Sequence, residues 1–196
     1  MIEAKTMVTP IGEAIYPRLM KPDTRFNELG EYRITLKMKK QDASKLISDI
    51  DLFIGDSLAN FEKEAKGKKL KLANKPYALE GDFLILKMKL KASGVNKKTK
   101  QQFQQRPVVV DAKKNPMSVD TYVGGGSMCK CVFDLIPYHS PLVGAGVSAR
   151  LKMVQVIELV TKDKADNLLK EEEGYVTEKV ELTNNEVPQV QTSADF

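Results

Sequence analysis

Lysines spaced two apart are the first residues here that could do chemistry. In EYRITLKMKK (Glu31–Lys40), Arg33, Lys37 and Lys39 fall on one face with Thr35, while Tyr32, Ile34, Leu36 and Met38 fall on the other. In DFLILKMKLKA (Asp82–Ala92), Lys87, Lys89 and Lys91 face away from Leu84, Leu86, Met88 and Leu90. Alternation of this kind is a strand with one buried face. The loop SGVNKKTKQQ adds Lys97, Lys98 and Lys100, and Lys130 stands between two inward cysteines. Solubility alone accounts for one charged strand face. Two such strands and a basic hairpin, with almost no acid interspersed, make a field of one sign, as phosphate binding by counterion release requires. Base stacking needs exposed aromatics beside that charge. Tyr16, Phe26, Tyr77, Phe103, Tyr122 and Tyr138 qualify by position, and tryptophan is absent. Tyr138 is the foremost, because it follows Pro137 at an expected strand end and precedes His139.

Other chemistries lack their parts. His139 is the single imidazole, so a Ser-His-Asp-type hydrolase has little to build on. One His and two Cys do not make an ordinary structural zinc site. The cysteines of MCKC, Cys129 and Cys131, read as reduced core thiols of a cytosolic protein, since neighbouring positions of one strand are poorly placed to bridge. Gly124–Gly126 is no phosphate loop, for no GK[ST] and no helix follow; it reads as a tight turn. Asp111, Asp120 and Asp134 show no metal-site spacing. The expectation is no catalytic residue, no metal and no cofactor.

The elements that must hold these residues come from one ordinary domain with an extension: 196 residues, 42% hydrophobic. No stretch approaches a membrane span, and MIEAKTMVTP has no apolar signal region. Residues 1–162 carry 28 basic and 17 acidic side chains, a net of +11; residues 163–196 carry 3 and 9, a net of −6. A basic body with an acidic tail points to a polyanion partner and to a segment able to compete with it. The expected division is a domain over 1–162 and a flexible tail over 163–196, polar beyond Thr183.

Thr6–Met20, broken by Pro10, Gly12 and Pro17, reads as one bent or interrupted strand at an edge or bulge. Helical spacing of Leu46, Ile47, Ile50, Phe53, Ile54, Phe61 and Ala65 predicts one long helix, capped by Asp42 and stopped with Gly67 at C′. Strands follow at Phe103–Asp111, at Met128–Pro137 with Cys129, Cys131, Phe133 and Leu135 inward, and at Val147–Val160. The segment PYHSPLVGAG between the last two reads as a turn. About six strands and one helix without βαβ alternation predict a mainly β protein. The expected fold is an OB-fold, a five-stranded Greek-key barrel with one inserted α-helix.

Several segments, in order, carry a resemblance. They are TPIGEAIYPRLMKPD, the KKTK hairpin, VVVDAKKNPM, GGGSMCKCVFDLIPY, VGAGVSARL and the terminal DF. Together they resemble the replicative single-stranded DNA-binding proteins of short-tailed bacteriophages, over roughly residues 6–162 plus the last phenylalanine. The resemblance implies an OB-fold without catalytic activity, acting in the cytoplasm of the infected bacterial host. It implies single-stranded DNA binding in phage replication and recombination, and strand annealing. It also implies a tail that contacts the phage DNA polymerase and helicase-primase and mediates homodimer formation. By position, Tyr138 matches the family's stacking tyrosine, and Lys97, Lys98 and Lys100 its basic hairpin. Phe196, beside Asp195, matches its terminal aromatic. Two departures stand out. Leu29 takes the place of a basic residue before the first hairpin glycine, and the tail has only Glu186 and Asp195 as acids after Thr183. Glu171, Glu172 and Glu173 are expected to carry part of the role of the family's acidic run.

The expected DNA-binding set is therefore Tyr138, Lys97, Lys98, Lys100, Arg33, Lys37, Lys39, Lys87, Lys89, Lys91 and Lys130, with Asp195 and Phe196 for protein partners. From the residues alone, a protein-interaction module on an OB-type barrel and an RNA-binding OB-fold remain as alternatives.

Overall fold

The alternating segments become the long strands of a closed barrel. The computed structural model describes residues 3–161 except 26, 68, 97 and 98. Along it run β1 (Lys5–Val8), β2 (Gly12–Asp23), β3 (Glu31–Lys39), α1 (Ser44–Glu64), β4 (Tyr77–Glu80), β5 (Phe83–Lys91), β6 (Ser93–Val95), β7 (Gln102–Gln104), β8 (Val108–Val110), β9 (Met128–Ser140) and β10 (Gly144–Glu158). Neighbours run β9-β2-β3-β5-β10, and β10 pairs again with β9, which closes a five-stranded barrel. The β5–β10 joint is the one parallel contact inside that ring, with Arg150 opposite Lys89. This is the OB topology expected from the sequence. β1 and β8 extend the sheet beyond the ring, β4 pairs with β5, and β6 and β7 form a separate hairpin.

The inward faces are those the period-2 pattern marks. Ile34, Leu36, Met38, Leu84, Leu86, Met88, Phe133 and Leu135 are essentially inaccessible, as are both cysteines. Removing such a side chain, as in Leu86→Ala, costs about 2–5 kcal/mol through lost transfer energy and a residual cavity. The helix lays Leu46, Ile50, Phe53 and Ile54 into this core and packs on β9 and β10.

Local chemistry differs from expectation at several points. Thr6–Met20 takes the interrupted form, as two separate strands, β1 and β2. Thr9 is buried, exchanging its backbone N–H and its side-chain oxygen with Cys131 (2.9 Å each), and Pro10 has no N–H to continue a ladder. Gly12 then passes so close to β3 that a β-carbon would lie 2.5 Å from Met38 Cγ and 2.9 Å from the Lys37 carbonyl oxygen. Ala43, not Asp42, is the helix N-cap, and no side chain caps it. The C-terminus is a Schellman turn with Lys66 at C′ (φ 56°) and Gly67 after it, its N–H bonded to the Glu62 carbonyl at 2.8 Å. Phe103–Asp111 is interrupted: β7 pairs with β6, while β8 pairs with β10. The expected turn at 137–146 shrinks to 141–143, because β9 continues through Tyr138 to Ser140. The domain division at 162 and every role assigned to the tail, including Asp195 and Phe196, lie outside the described residues.

Candidate nucleic-acid interface

The outward faces of β5, β10 and the end of β9 bound an open groove of about 550 Å³, lined among others by Lys75, Lys87, Lys89, Lys91, Phe103, Tyr138 and Arg150. Period 2 places the three lysines there, since Met88 and Leu90 between them fill the barrel. Both aromatics lie across from glycines. Phe103 opposes Gly94 in the β6–β7 hairpin, and a β-carbon at Gly94 would stand 2.9 Å from Phe103 Cζ. Tyr138 opposes Gly146 in the β9–β10 ladder. Rings resting on bare backbone keep a defined orientation while half-buried, one face available to a ligand.

The groove is less purely basic than the sequence indicates. Arg33, Lys89 and Arg150 are direct cross-strand neighbours on β3, β5 and β10, about 5 Å apart from strand to strand. Like charges so placed repel. Each is held by a carboxylate from elsewhere in the chain. Arg33 Nη2 donates to Asp23 Oδ2 at 2.8 Å, Lys89 Nζ lies 3.0 Å from Glu31 Oε1, and Arg150 Nη2 donates to Asp134 Oδ2 at 3.0 Å. Lys75 likewise donates to Asp51 Oδ1 at 2.8 Å. Lys87 and Lys91 have no acidic partner among the described residues.

These contacts register in the carboxyl groups. The Arg25 side chain and backbone N–H, with Arg33 adding charge, hold Asp23 far below the usual carboxylate range. Burial pushes Asp134 up, but hydrogen bonds from Thr6 and Arg150 and the nearby Lys152 outweigh it, so its carboxyl is lowered. Asp51 follows the same balance, with Lys75 and Tyr77 overcoming burial.

The expected residues separate by location. Tyr138, Lys87, Lys89 and Lys91 share the groove. Arg33 lines an adjoining hollow of about 330 Å³ with Tyr16, Thr35, Lys87 and Lys89. Lys37 and Lys39 continue the same face of β3 beyond that hollow, and Lys37 Nζ sits 4.4 Å from the centre of the Phe83 ring. Lys130 is exposed near the start of β9, whereas Tyr138 is near its end, so the two do not meet. Lys100 is at the hairpin turn with φ 60°; Lys97 and Lys98 lie outside the described residues, as does Phe26. Lys75, Gln105 and Arg150 were absent from the expected set. For Arg150 a signal existed, because β10 alternates Ser148, Arg150, Lys152 against Val147, Ala149, Leu151.

Among the described residues no group of three or more His, Cys, Asp or Glu could hold a metal ion, and no helix is long and apolar enough to cross a membrane.

Comparison with known proteins agrees with this architecture. The family model for the single-stranded DNA-binding protein of bacteriophage T7 matches residues 11–159. The single-stranded DNA-binding protein of Escherichia phage T7 is 33% identical, over 88% of this chain and 85% of its own. That of Enterobacteria phage T3 is 30% identical, over 74% and 72%. The crystal structure of the phage T7 protein, gp2.5, superposes with a TM-score of 0.72 at 29% identity, covering 89% of this chain and 100% of that one. The single-stranded DNA-binding protein of bacteriophage Enc34, solved in complex with single-stranded DNA, gives a TM-score of 0.59 at 16% identity over 80% and 88%, a likeness of fold. With a family model spanning most of the chain and a relative 33% identical over 88% of it, the protein belongs to the family of phage T7-type single-stranded DNA-binding proteins.

Proposed function

We propose that the chain binds single-stranded DNA, without sequence preference, in the groove between β5, β10 and β9. The observation that carries this reading is the meeting of Tyr138 and Phe103 with Lys87, Lys89 and Lys91 in one open groove. The lysines take phosphates, and Tyr138 takes a base on its exposed face. A duplex keeps its bases stacked inside and offers the ring nothing. Family membership and the relatives' names support the choice of ligand.

Further roles rest on the resemblance and belong to the same proposal. They are phage DNA replication and recombination, strand annealing, homodimer formation, and contacts of the tail (Asp195 and Phe196) with the phage polymerase and helicase-primase. The site of action would be the infected bacterium's cytoplasm. In the free protein, the acidic segment 163–196 competes for the groove.

The test is a titration of fluorescent oligo-dT at several salt concentrations beside a matched duplex. Preference for the single strand, with log Kd changing by about 0.7 per phosphate contact for each tenfold step in salt, is the expected result. Equal affinity for duplex would reduce the groove to nonspecific charge attraction. Truncation after Lys162 is expected to tighten binding at low salt; no change removes the competition.

A further inference from the structure

The β2–β3 ladder jumps from Ile15 opposite Thr35 to Arg18 opposite Arg33, so Tyr16 and Pro17 together face Ile34 across a bulge. Pro17 has no N–H to lose there. Tyr16 adopts φ 46°, a left-handed conformation unfavourable for an L-residue and easy for glycine. The residue is 84% exposed. A bulky aromatic therefore occupies a backbone position suited to glycine and gains little burial in return. Strain of this kind persists where the surrounding structure over-determines it, and it clusters at functional sites. The ring borders the hollow shared with Arg33, Thr35, Lys87 and Lys89. Lys87 and Lys89 also line the groove of Tyr138. The two hollows thus lie on either side of one pair of lysines, and the row Arg33–Lys89–Arg150 runs from one to the other.

Resting on the groove reading above, we infer that the single-stranded nucleic acid path continues across β5 to β2, where Tyr16 is a second base-stacking platform. Phosphates between the two stacked bases lie over Lys87 and Lys89, and Arg33 serves the Tyr16 end. The bulge turns the ring out of the sheet so that a base can lie against it.

The experiment compares Tyr16→Gly, Tyr16→Asn, Tyr16→Phe and Tyr138→Ala with the unaltered full chain on a long oligo-dT and on a matched duplex, with the melting temperature of each protein. Glycine and asparagine both tolerate the left-handed backbone. The expected result is an unchanged or higher melting temperature for Tyr16→Gly with affinity reduced about 5- to 150-fold, and affinity within about twofold for Tyr16→Phe. Photocross-linking of a bromodeoxyuridine oligonucleotide to the unaltered protein should label the Tyr16 peptide as well as the Tyr138 peptide. Labelling at Tyr138 alone, or full affinity in Tyr16→Gly and Tyr16→Asn while Tyr138→Ala loses it, overturns the second platform and leaves the groove standing. No preference for single strands in the unaltered protein overturns the groove itself.

Discussion

Tyr138 lies directly over Gly146, its cross-strand partner, with its hydroxyl oxygen 2.9 Å from where a β-carbon on that glycine would stand. Ala73 Cβ would be 2.7 Å from the same point. The ring's position is thus set by a missing side chain on the neighbouring strand. Gly146→Ala is expected to push the ring aside and weaken oligo-dT binding, while Tyr138→Ala removes about 1–3 kcal/mol of stacking. Fluorescence titration of both variants checks this. Unchanged affinity in Tyr138→Ala would take the ring out of the site.

Glu31 occupies Lys89 in the free protein. Glu31→Gln should release that ammonium group for a phosphate. The expected outcome is tighter binding of single strands, with a salt dependence steeper by about 0.7 in log–log slope. A series of titrations between low and moderate salt reads both quantities. A parallel shift with no change of slope would mean that Lys89 makes no phosphate contact.

Asp23, Asp51 and Asp134 all have lowered carboxyl pKa values in the folded chain. A depressed folded pKa stabilises the protein above the unfolded value, about 4, and this stabilisation is lost as pH falls through the folded value. Thermal melts should therefore decline steadily below pH 4. Asp134→Asn weakens the contacts to Arg150 and Lys152 and should cost about 1–3 kcal/mol at neutral pH. The same variant should flatten the acid-side decline, as melts across pH 2–7 would reveal.

Both thiols face the barrel interior. Burial pushes Cys129 up to about 12 and Cys131 well above its ordinary value. Thiolate is the reactive form, so iodoacetamide at pH 8 should leave the native protein almost unlabelled and modify both residues in denaturant. Because the raised thiols favour the folded state below pH 9, stability should fall as pH rises above it. Rapid native labelling, read by mass spectrometry, would show β9 opening.

Much of the barrel could be read from residue order, because one face of each long strand is buried and period 2 marks it. Tyr32, Ile34, Leu36 and Met38, or Leu84 through Leu90, need no other information. Their lysine neighbours were then forced outward, which placed Lys87, Lys89 and Lys91 correctly on one surface. The carboxylates that hold Arg33, Lys89 and Arg150 were not legible. Asp23, Glu31 and Asp134 reach them through strand registers that exist only once the sheet has formed. Pro137 misled in another way. Beyond Leu135, β9 has no described partner on its β1 side, so a proline is tolerated inside the strand and Tyr138 is held by a ladder rather than by a turn. The helix cap failed because the helix starts one residue later than Asp42: Ala43 is the N-cap, its carbonyl accepting the first helical hydrogen bond from the Ile47 N–H at 2.9 Å.

The parallel joint between β5 and β10 is a sparse seam of the barrel, one residue pair against the long ladder joining β9 to β10. Lys87, Lys89 and Lys91 stand on one side of it, Arg150 and Tyr138 on the other. On the proposed path, a strand of nucleic acid lying across both sides would act as a clasp. Occupancy would then be felt as rigidity: the amides beside Lys89 and Arg150 would exchange more slowly, and the barrel would resist being pulled open where its own backbone does little to close it.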